Sequence, residues 1–161
     1  LAKGAAVGPM MAELFGRATG ACRGKGGSMH IADFGVGMLG ANGIVAGGLP
    51  IAVGAAQGLK LLGSDALVAC FFGDGATNRG PFLEALNWAA LYGLRVLFVC
   101  EDNSFSAFTY TDTTSAGEGP LARARACGID GVSVDGDDAV AVERAAADLV
   151  ATIRREGRPL F

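Results

Sequence analysis

The sequence lacks clustered basic residues and an unbroken apolar run. It has 13 lysines and arginines against 16 acidic residues, which gives a net charge of −3. Because nucleic-acid phosphates are bound by clustered basic side chains, we expect no nucleic-acid partner. The longest apolar stretch, Gly43 to Leu59, is interrupted by Pro50 and by several glycines. A membrane span needs about 20 consecutive apolar residues, so we expect no membrane insertion.

Closely spaced cysteines are missing as well. Cys22, Cys70, Cys100 and Cys127 are far apart in the sequence, so none of them forms the CxxC pair of a zinc or redox motif. Cys70 and Cys100 lie in apolar, strand-like runs, and no signal peptide is visible. Buried, reduced thiols are typical of cytoplasmic proteins, and we expect a cytoplasmic location.

No glycine-rich nucleotide signature stands in the required context. No GxGxxG opens a helix after a strand, and no GxxxxGK[ST] is present, which argues against a nucleotide-binding oxidoreductase. Glycine is nevertheless abundant, at 26 of 161 residues, against a usual ~7%. The glycines occur in local groups without a fixed period, which indicates tight turns and close backbone approach to a ligand or to another chain.

Apolar runs alternate with helix-like segments along the chain. Continuous apolar runs are typical of strands buried on both faces of a parallel sheet. The alternation predicts an α/β fold, a parallel sheet flanked by helices, in one domain over residues 1–161. Strands are predicted at Ala66–Phe72, at Arg95–Cys100, at Gly131–Val134 and from Pro159 onward. Helices are predicted at Pro9–Phe15, Pro50–Leu62, Pro81–Tyr92 and Leu121–Cys127, and from an Asp137 cap to Arg155, with an irregular glycine-rich segment at Gly20–Gly48.

Polar residues follow the two most apolar strands. Asp74 stands between Gly73 and Gly75 after the first strand, and Asp102 and Asn103 follow the second. If these strands pair directly, their carboxyl ends meet at one edge of the sheet, where ligands of such folds bind. Carboxylate, amide and carbonyl oxygens suit Mg²⁺, which completes its shell with phosphate and water. The sequence therefore predicts a magnesium-diphosphate site at this edge.

Longer motifs resemble one family. The GDG triplet followed by an acidic-Asn pair is similar to the thiamine-diphosphate fingerprint. The sequence resembles alpha subunits of the decarboxylating component of 2-oxo acid dehydrogenase complexes, and among them acetoin dehydrogenase alpha subunits most closely. The resemblance covers nearly the whole chain and implies a thiamine-diphosphate-binding fold. Its motifs are GKGGSMH (residues 24–30), ANGIV (41–45), FFGDGATNRGPFLEALNWAAL (71–91), VDGDD (134–138) and, for the acetoin enzymes, residues 28–50 and 114–129.

The resemblance assigns roles to individual residues around Mg²⁺ and the diphosphate. Asp74 would give the metal its carboxylate, Asn103 its side-chain oxygen, and Phe105 its backbone carbonyl. Gly75 and Ala76 would meet the diphosphate of the cofactor through their backbone N–H groups, as a strand-to-helix turn allows.

Three further residues are assigned in the same way. Gly43 and Val45 would contact the aminopyrimidine side of the cofactor. His30 is the only histidine and lies in a family motif. It is a candidate for an active-site proton carrier, with a structural role in the glycine-rich loop as the alternative.

The activity implied by the resemblance is carried by the cofactor. Thiamine diphosphate would attack the carbonyl of acetoin or of a 2-oxo acid such as pyruvate, cleave a C–C bond and pass the acyl unit to a lipoyl-bearing acyltransferase. A beta subunit would complete the site, in an assembly of two alpha and two beta chains. The substrates differ by a few methyl groups, and sequence alone leaves the choice among them open.

Two other functions remain open at this point. A non-catalytic alpha-like chain could act only as a scaffold for a beta subunit. A transketolase-like thiamine enzyme would carry both halves of the site in one longer chain. The family also has a Tyr-Arg pair that would precede Leu1 and a histidine loop that would follow Phe161, so we expect the sequence to be a piece of a longer alpha subunit.

The sequence departs from the fingerprint at one position, and several residues near the predicted site have further predicted roles. Asp102 replaces the first Asn of the usual Asn-Asn pair, at a position that the family does not use as a metal ligand. Asn78 is a candidate cap for the helix that follows the GDG turn. Phe108 and Tyr110, with Phe105, either line a substrate pocket or bury their own loop.

Overall fold

Two parallel strands and the helices around them form the larger of two structural units. The computed structural model describes residues 1–161 and separates them into Leu1–Ile44 and Val45–Phe161. The prediction of one domain over the full sequence is not decided by this division and stays a prediction. No helix has the length and apolar character that crossing a membrane requires.

The central strands are β1 (Val68–Gly73) and β2 (Val96–Glu101). They pair in parallel and in register, so that their last residues, Gly73 and Glu101, lie opposite each other. Each strand overlaps the apolar run that predicted it, and the chain passes from one to the other through α3 (Gly80–Leu91). The prediction of an α/β fold with a parallel sheet flanked by helices is confirmed.

One face of the sheet packs against α2 (Gly48–Leu61), α3 and α4 (Pro120–Ala126). All three helices lie at the positions that the sequence predicted, to within two residues at each end. Burying a large apolar side chain contributes about 1.5–3 kcal/mol to stability, so this layer holds the sheet edge in place. Its fully buried side chains include Leu49, Phe82, Leu86, Val96, Phe98 and Ile129.

The other face of β2 is covered by α5 (Ala139–Glu156). Ile153 of this helix is fully buried and packs with Leu97 and Leu160. Leu160 also forms a single parallel bridge with Leu97. This bridge lies in the segment where a strand was predicted to start, at Pro159.

The short strand predicted at Gly131–Val134 is wrong, because those residues have no regular structure. Two isolated hydrogen bonds link this segment to the end of the chain. The N–H of Phe161 donates to the carbonyl of Asp130 at 2.9 Å, and the carbonyl of Phe161 accepts from the N–H of Val132 at 3.1 Å. These two bonds, on either side of Gly131, have the pattern of a parallel pairing with Phe161 and fix the segment in place.

The predicted cap of α5 is wrong by one residue. Asp138, not Asp137, caps the helix, and its Oδ1 accepts the N–H groups of Val140 and Ala141, both at 3.0 Å. The N–H of Asp137 bonds to Oδ1 of Asp135 at 3.0 Å. Asp137 therefore belongs to the preceding turn, and a cap moved by one residue satisfies both the turn and the helix.

The smaller unit contains α1 (Val7–Leu14) and the glycine-rich segment that follows it. The helix predicted from Pro9 begins two residues earlier. The segment predicted as irregular contains two short 3-10 turns, at Gly27–His30 and Phe34–Val36, and one isolated antiparallel bridge between Asp33 and Met38. In a segment with so little secondary structure, the backbone N–H groups need hydrogen-bond acceptors outside helices and strands.

The carboxylate of Glu13 provides these acceptors. Its side chain is 1% exposed and accepts four backbone N–H groups. Oε2 accepts from Cys22 at 2.8 Å and from Gly24 at 2.7 Å, and Oε1 accepts from Gly26 at 2.7 Å and from Gly27 at 3.1 Å. One carboxylate therefore fixes the path of a loop that has little regular structure.

A short hairpin packs on the turn that follows β1. Its strands are β3 (Phe105–Ser106) and β4 (Thr109–Tyr110). A Cβ atom added to Gly75 would lie 2.5 Å from Oγ and 2.8 Å from Cβ of Ser106. Only glycine lets the hairpin approach this closely, so Gly75 determines the distance between the two loops at the sheet edge.

We expect Gly75→Ala to move the hairpin away from the turn. Overpacking of this kind costs about 1–3 kcal/mol, measurable as a lower denaturation midpoint of the full-length protein. Gly54→Ala in α2 is the matched control, because a Cβ there meets nothing within 4 Å and alanine favours a helix by about 1 kcal/mol. Equal stability of the two variants would contradict the close packing at Gly75.

We also expect the Glu13 network to depend on pH. Burial acts to raise the pKa of Glu13, but the backbone N–H groups of Gly24, Cys22, Gly26 and Gly27 outweigh it and hold the pKa below the ordinary value of 4.5. A carboxyl group with a lowered folded pKa stabilises the fold above its unfolded pKa. That contribution is lost as the pH falls below 4.5 and through the lower folded pKa.

Glu13→Gln tests this, because an amide replaces one acceptor oxygen by a donor. The variant should unfold at lower denaturant concentration at pH 7 and lose the pH-dependent part of the stability below 4.5. Hydrogen exchange at the amides of Cys22, Gly24, Gly26 and Gly27 should accelerate at the same time. Unchanged protection of these amides in the variant would show that the loop is held by other contacts.

Candidate functional site

Two acidic residues lie at the carboxyl edge of the sheet. Because Gly73 and Glu101 are register partners, the residues that follow them, Asp74 and Asp102, leave neighbouring strand ends at the same edge. The two strands pair directly, as the predicted site at this edge requires. Ligands of parallel sheets bind at this edge.

Asp74 is buried with one oxygen unsatisfied. It opens a 3-10 turn, Asp74–Asn78, is 4% exposed, and its Oδ2 has no hydrogen-bond partner. The hydroxyl of Thr77 donates to the backbone carbonyl of Asp74 at 2.7 Å, which fixes the turn. A buried carboxylate oxygen without a partner is costly, so Asp74 fits a divalent cation with oxygen ligands.

A cavity of about 270 Å³ opens beside this turn. Asp74 lines it together with three other acids, Asp102, Asp112 and Glu118, and with Arg123 as its single basic residue. The lining therefore carries more negative than positive charge. Such a cavity attracts cations, and an anionic group would enter it more readily with a divalent metal.

Asn103 and Phe105 lie on the loop beside the cavity but not among the residues that line it. Oδ1 of Asn103 accepts the N–H of Phe105 at 2.9 Å, and the ring of Phe105 packs edge-on against Tyr110 with centroids 4.5 Å apart. Phe108 is fully exposed. No group of three or more His, Cys, Asp or Glu side chains converges in the chain, so a metal here needs mixed oxygen donors. The roles of Asn103 and Phe105 as ligands stay predictions.

Asp102 contributes to the cavity, although sequence reasoning discounted it. Its Oδ1 accepts the N–H of Ser104 at 3.1 Å, and Ser104 has a φ of +62°, in the left-handed region. Burial, together with the smaller effect of the negative charges of Asp102, Asp74 and Glu101, raises the pKa of the Cys100 thiol to about 12. Its position directly after β2 was the signal that could have identified it.

Gly75 and Ala76 follow Asp74 in the turn. Ala76 is 5% exposed, and Gly75 lies against Ser106 of the hairpin. The hairpin can pack this closely because Gly75 has no side chain. The predicted contact of both N–H groups with a diphosphate stays a prediction.

Asn78 does not cap α3 as predicted, because Arg79 holds the cap position and no side chain caps this helix. The amide of Asn78 donates instead to the carbonyl of Thr114 at 3.3 Å and to Oγ of Ser115 at 2.6 Å. Its Oδ1 accepts from Arg123 at 2.8 Å. Because these partners are far away in the sequence, no local pattern could predict the hydrogen bonds of Asn78.

The remaining predicted residues are divided between the two units. His30 and Gly43 lie in the smaller unit, and Val45 is the first residue of the larger one. Nδ1 of His30 lies 3.1 Å from the carbonyl of Ala41, so a hydrogen bond there requires the proton on Nδ1 and leaves Nε2 as the free nitrogen of the neutral ring. A Cβ at Gly43 would be 3.4 Å from Cε of Met29, and Val45 is exposed.

Known proteins resemble the chain over its full length. The model of the family described as "Dehydrogenase E1 component" matches residues 1–161. The chain is 49% identical over 159 residues to the alpha subunit of acetoin:2,6-dichlorophenolindophenol oxidoreductase from Bacillus subtilis. It is 41% identical over 166 residues to the pyruvate dehydrogenase E1 component subunit alpha from Porphyra purpurea.

These matches include 99% of this chain but 48% of each relative, so the chain spans about half the length of the curated relatives it matches. A crystal structure from Mycobacterium smegmatis, described as a thiamin diphosphate-dependent enzyme, superposes on 77% of the chain and 23% of its own with a TM-score of 0.58 and 23% identity. That likeness supports the fold. The family match and the identities confirm the resemblance seen in the sequence. The chain therefore belongs to the dehydrogenase E1 component family.

Proposed function

We propose that this chain forms the metal- and diphosphate-binding part of a thiamine-diphosphate-dependent dehydrogenase alpha subunit. The observation that carries the proposal is Asp74, a buried carboxylate with an unsatisfied oxygen at the shared end of two parallel strands. A purely structural acid would have both oxygens bonded, as Glu13 has. Family membership supports the same cofactor.

The metal would be Mg²⁺, held by three oxygens of this chain. Asp74 would supply a carboxylate, Asn103 its amide oxygen, and Phe105 its backbone carbonyl. Charged and neutral oxygen donors suit this ion, and phosphate oxygens and water would complete its octahedron. Asp102, which lines the same cavity, would add negative charge near the metal.

Thiamine diphosphate, when bound, supplies a nucleophilic carbon and an electron sink for cleaving a C–C bond beside a carbonyl. The residues of this chain would bind and orient it. Gly75 and Ala76 would meet the diphosphate with backbone N–H groups, and Gly43 and Val45 would contact the aminopyrimidine. His30 would carry a proton at Nε2, because its Nδ1 lies at the carbonyl of Ala41.

A beta subunit would complete the active site, in an assembly of two alpha and two beta chains. Several large apolar side chains of this chain are exposed, and a surface of this kind is normally covered by further protein. The most exposed of these side chains on the sheet and its helices are Leu61 at 79%, Leu62 at 82%, Phe71 at 66% and Leu91 at 70%.

A lipoyl-bearing acyltransferase would accept the acyl unit from this complex.

The substrate would be acetoin or a small 2-oxo acid such as pyruvate. Higher identity to the acetoin-enzyme subunit than to the pyruvate dehydrogenase subunit favours acetoin. Discrimination by a methyl group is worth about 1–3 kcal/mol. A substrate panel on the complete alpha–beta complex would therefore show a preference of ten- to roughly hundredfold in kcat/KM. We propose a cytoplasmic location for this complex.

Replacement of Asp74 tests the site. Asp74→Asn keeps the shape of the side chain but removes the charge, and Mg²⁺-dependent binding of thiamine diphosphate to the full-length complex should weaken by at least ~100-fold. The apoprotein should melt no lower than the wild type, since the variant removes an uncompensated buried charge. Isothermal titration calorimetry and thermal melting measure the two effects.

Asp112→Asn is the matched control, because Asp112 lines the same cavity and is not a proposed ligand. Its cofactor affinity should stay within about threefold of the wild type, as expected for a partly screened surface charge. Equal losses in both variants would reduce the role of Asp74 to general cavity charge. Full binding by Asp74→Asn would contradict the proposed metal site and favour a non-catalytic scaffold.

A further inference from the structure

Arg123 of α4 links two segments that border the cavity. Its Nη1 donates to the backbone carbonyl of Thr77 at 2.8 Å, to the hydroxyl of Thr77 at 3.2 Å and to Oδ1 of Asn78 at 2.8 Å. Its Nη2 donates to the carbonyl of Ala116 at 3.2 Å. One guanidinium group therefore holds the end of the Asp74 turn and the loop that precedes α4.

The network continues on both sides of Arg123. Asn78 accepts from Arg123 and donates to the loop at Thr114 and Ser115. Thr77 is 5% exposed, and its hydroxyl donates to the carbonyl of Asp74 at 2.7 Å. Arg123 therefore acts on the backbone of the buried acid through one intervening residue, Thr77.

No acid neutralises the charge of Arg123. None of the ion pairs in the chain includes it, and all of its acceptors are neutral oxygens. It is the single basic residue in the cavity lining. Hydrogen bonds from a charged donor are about twice as strong as neutral ones, so Arg123 both fixes the turn and lowers the negative charge that an anionic ligand meets.

The helix that carries Arg123 is held independently of the guanidinium group. Ala124 is fully buried in the larger core, and Leu121 packs against it. Arg125, on the same helix, makes one hydrogen bond, of 3.3 Å, to the carbonyl of Gly131. Removing the guanidinium of Arg123 should therefore release the turn and the loop while α4 stays packed.

We propose that Arg123 is a positioning residue for the cofactor site. It holds the Asp74 turn and the loop at 111–119 in the arrangement that receives the metal-bound diphosphate. The inference rests on the proposed function. A lysine cannot replace it fully, because one ammonium group lacks the planar fork that reaches Thr77, Asn78 and Ala116 together.

The test uses Arg123→Met, Arg123→Lys and the control Arg125→Met in the full-length chain assembled with its beta subunit. At saturating Mg²⁺, Arg123→Met should raise the Kd and KM for thiamine diphosphate at least about tenfold. The kcat at saturating cofactor should stay within about twofold. The Kd of Arg123→Lys for thiamine diphosphate should lie between the values of the wild type and Arg123→Met. The Kd of Arg125→Met should match the wild-type value within about twofold.

Hydrogen exchange without cofactor gives a second readout. Amides at 74–78 and 111–119 should exchange faster in Arg123→Met than in Arg125→Met, while those of α4 keep their protection. Unchanged Kd and unchanged exchange would overturn the inference. So would lower kcat and lower thermal stability at an unchanged Kd, which would make Arg123 merely structural. Wild-type protein that binds no cofactor would overturn the proposed function instead, and the exchange comparison separates the two failures because it uses no cofactor.

Discussion

The parallel register of β1 and β2 is the constraint on which the candidate site depends. With Gly73 opposite Glu101, the acids that follow each strand leave the sheet at one edge. A slip of one residue would turn every side chain of a strand to the opposite face, which would expose apolar side chains of the core and separate Asp74 from Asp102. The same packing that stabilises the fold therefore assembles the polar edge.

Two buried carboxylates show how structure and function use the same chemistry differently. Both oxygens of Glu13 are saturated by backbone N–H groups, so it orders a loop and has little capacity left for a ligand. Asp74 is almost as buried, yet its Oδ2 has no partner. The unpaired oxygen makes the folded state less stable. A bound divalent cation would remove this destabilisation. The two acids therefore differ in how far their oxygens are hydrogen-bonded, and this difference makes Asp74, not Glu13, the candidate metal ligand.

The strands, the helices and Asp74 could be predicted because their signals are local: apolar runs, helix-breaking residues, and an acid between two glycines. The failures have non-local causes. The segment Gly131–Val134 is held by two hydrogen bonds to Phe161, which is distant in the sequence. Asn78 bonds to Thr114 and Ser115 instead of capping the next helix. Arg123 escaped notice because its partners lie on other segments. Asp102 was placed correctly after the second strand, but its contribution to the cavity was not foreseen.

The central claim is that the edge formed by β1 and β2 binds a metal-bound diphosphate. Calorimetric titration of thiamine diphosphate into the full-length chain, assembled with its beta subunit, tests this most directly with and without Mg²⁺. We expect saturable binding that requires Mg²⁺ and disappears when the metal is chelated. Absence of binding in an intact, folded complex, or binding of equal affinity after chelation, would contradict it.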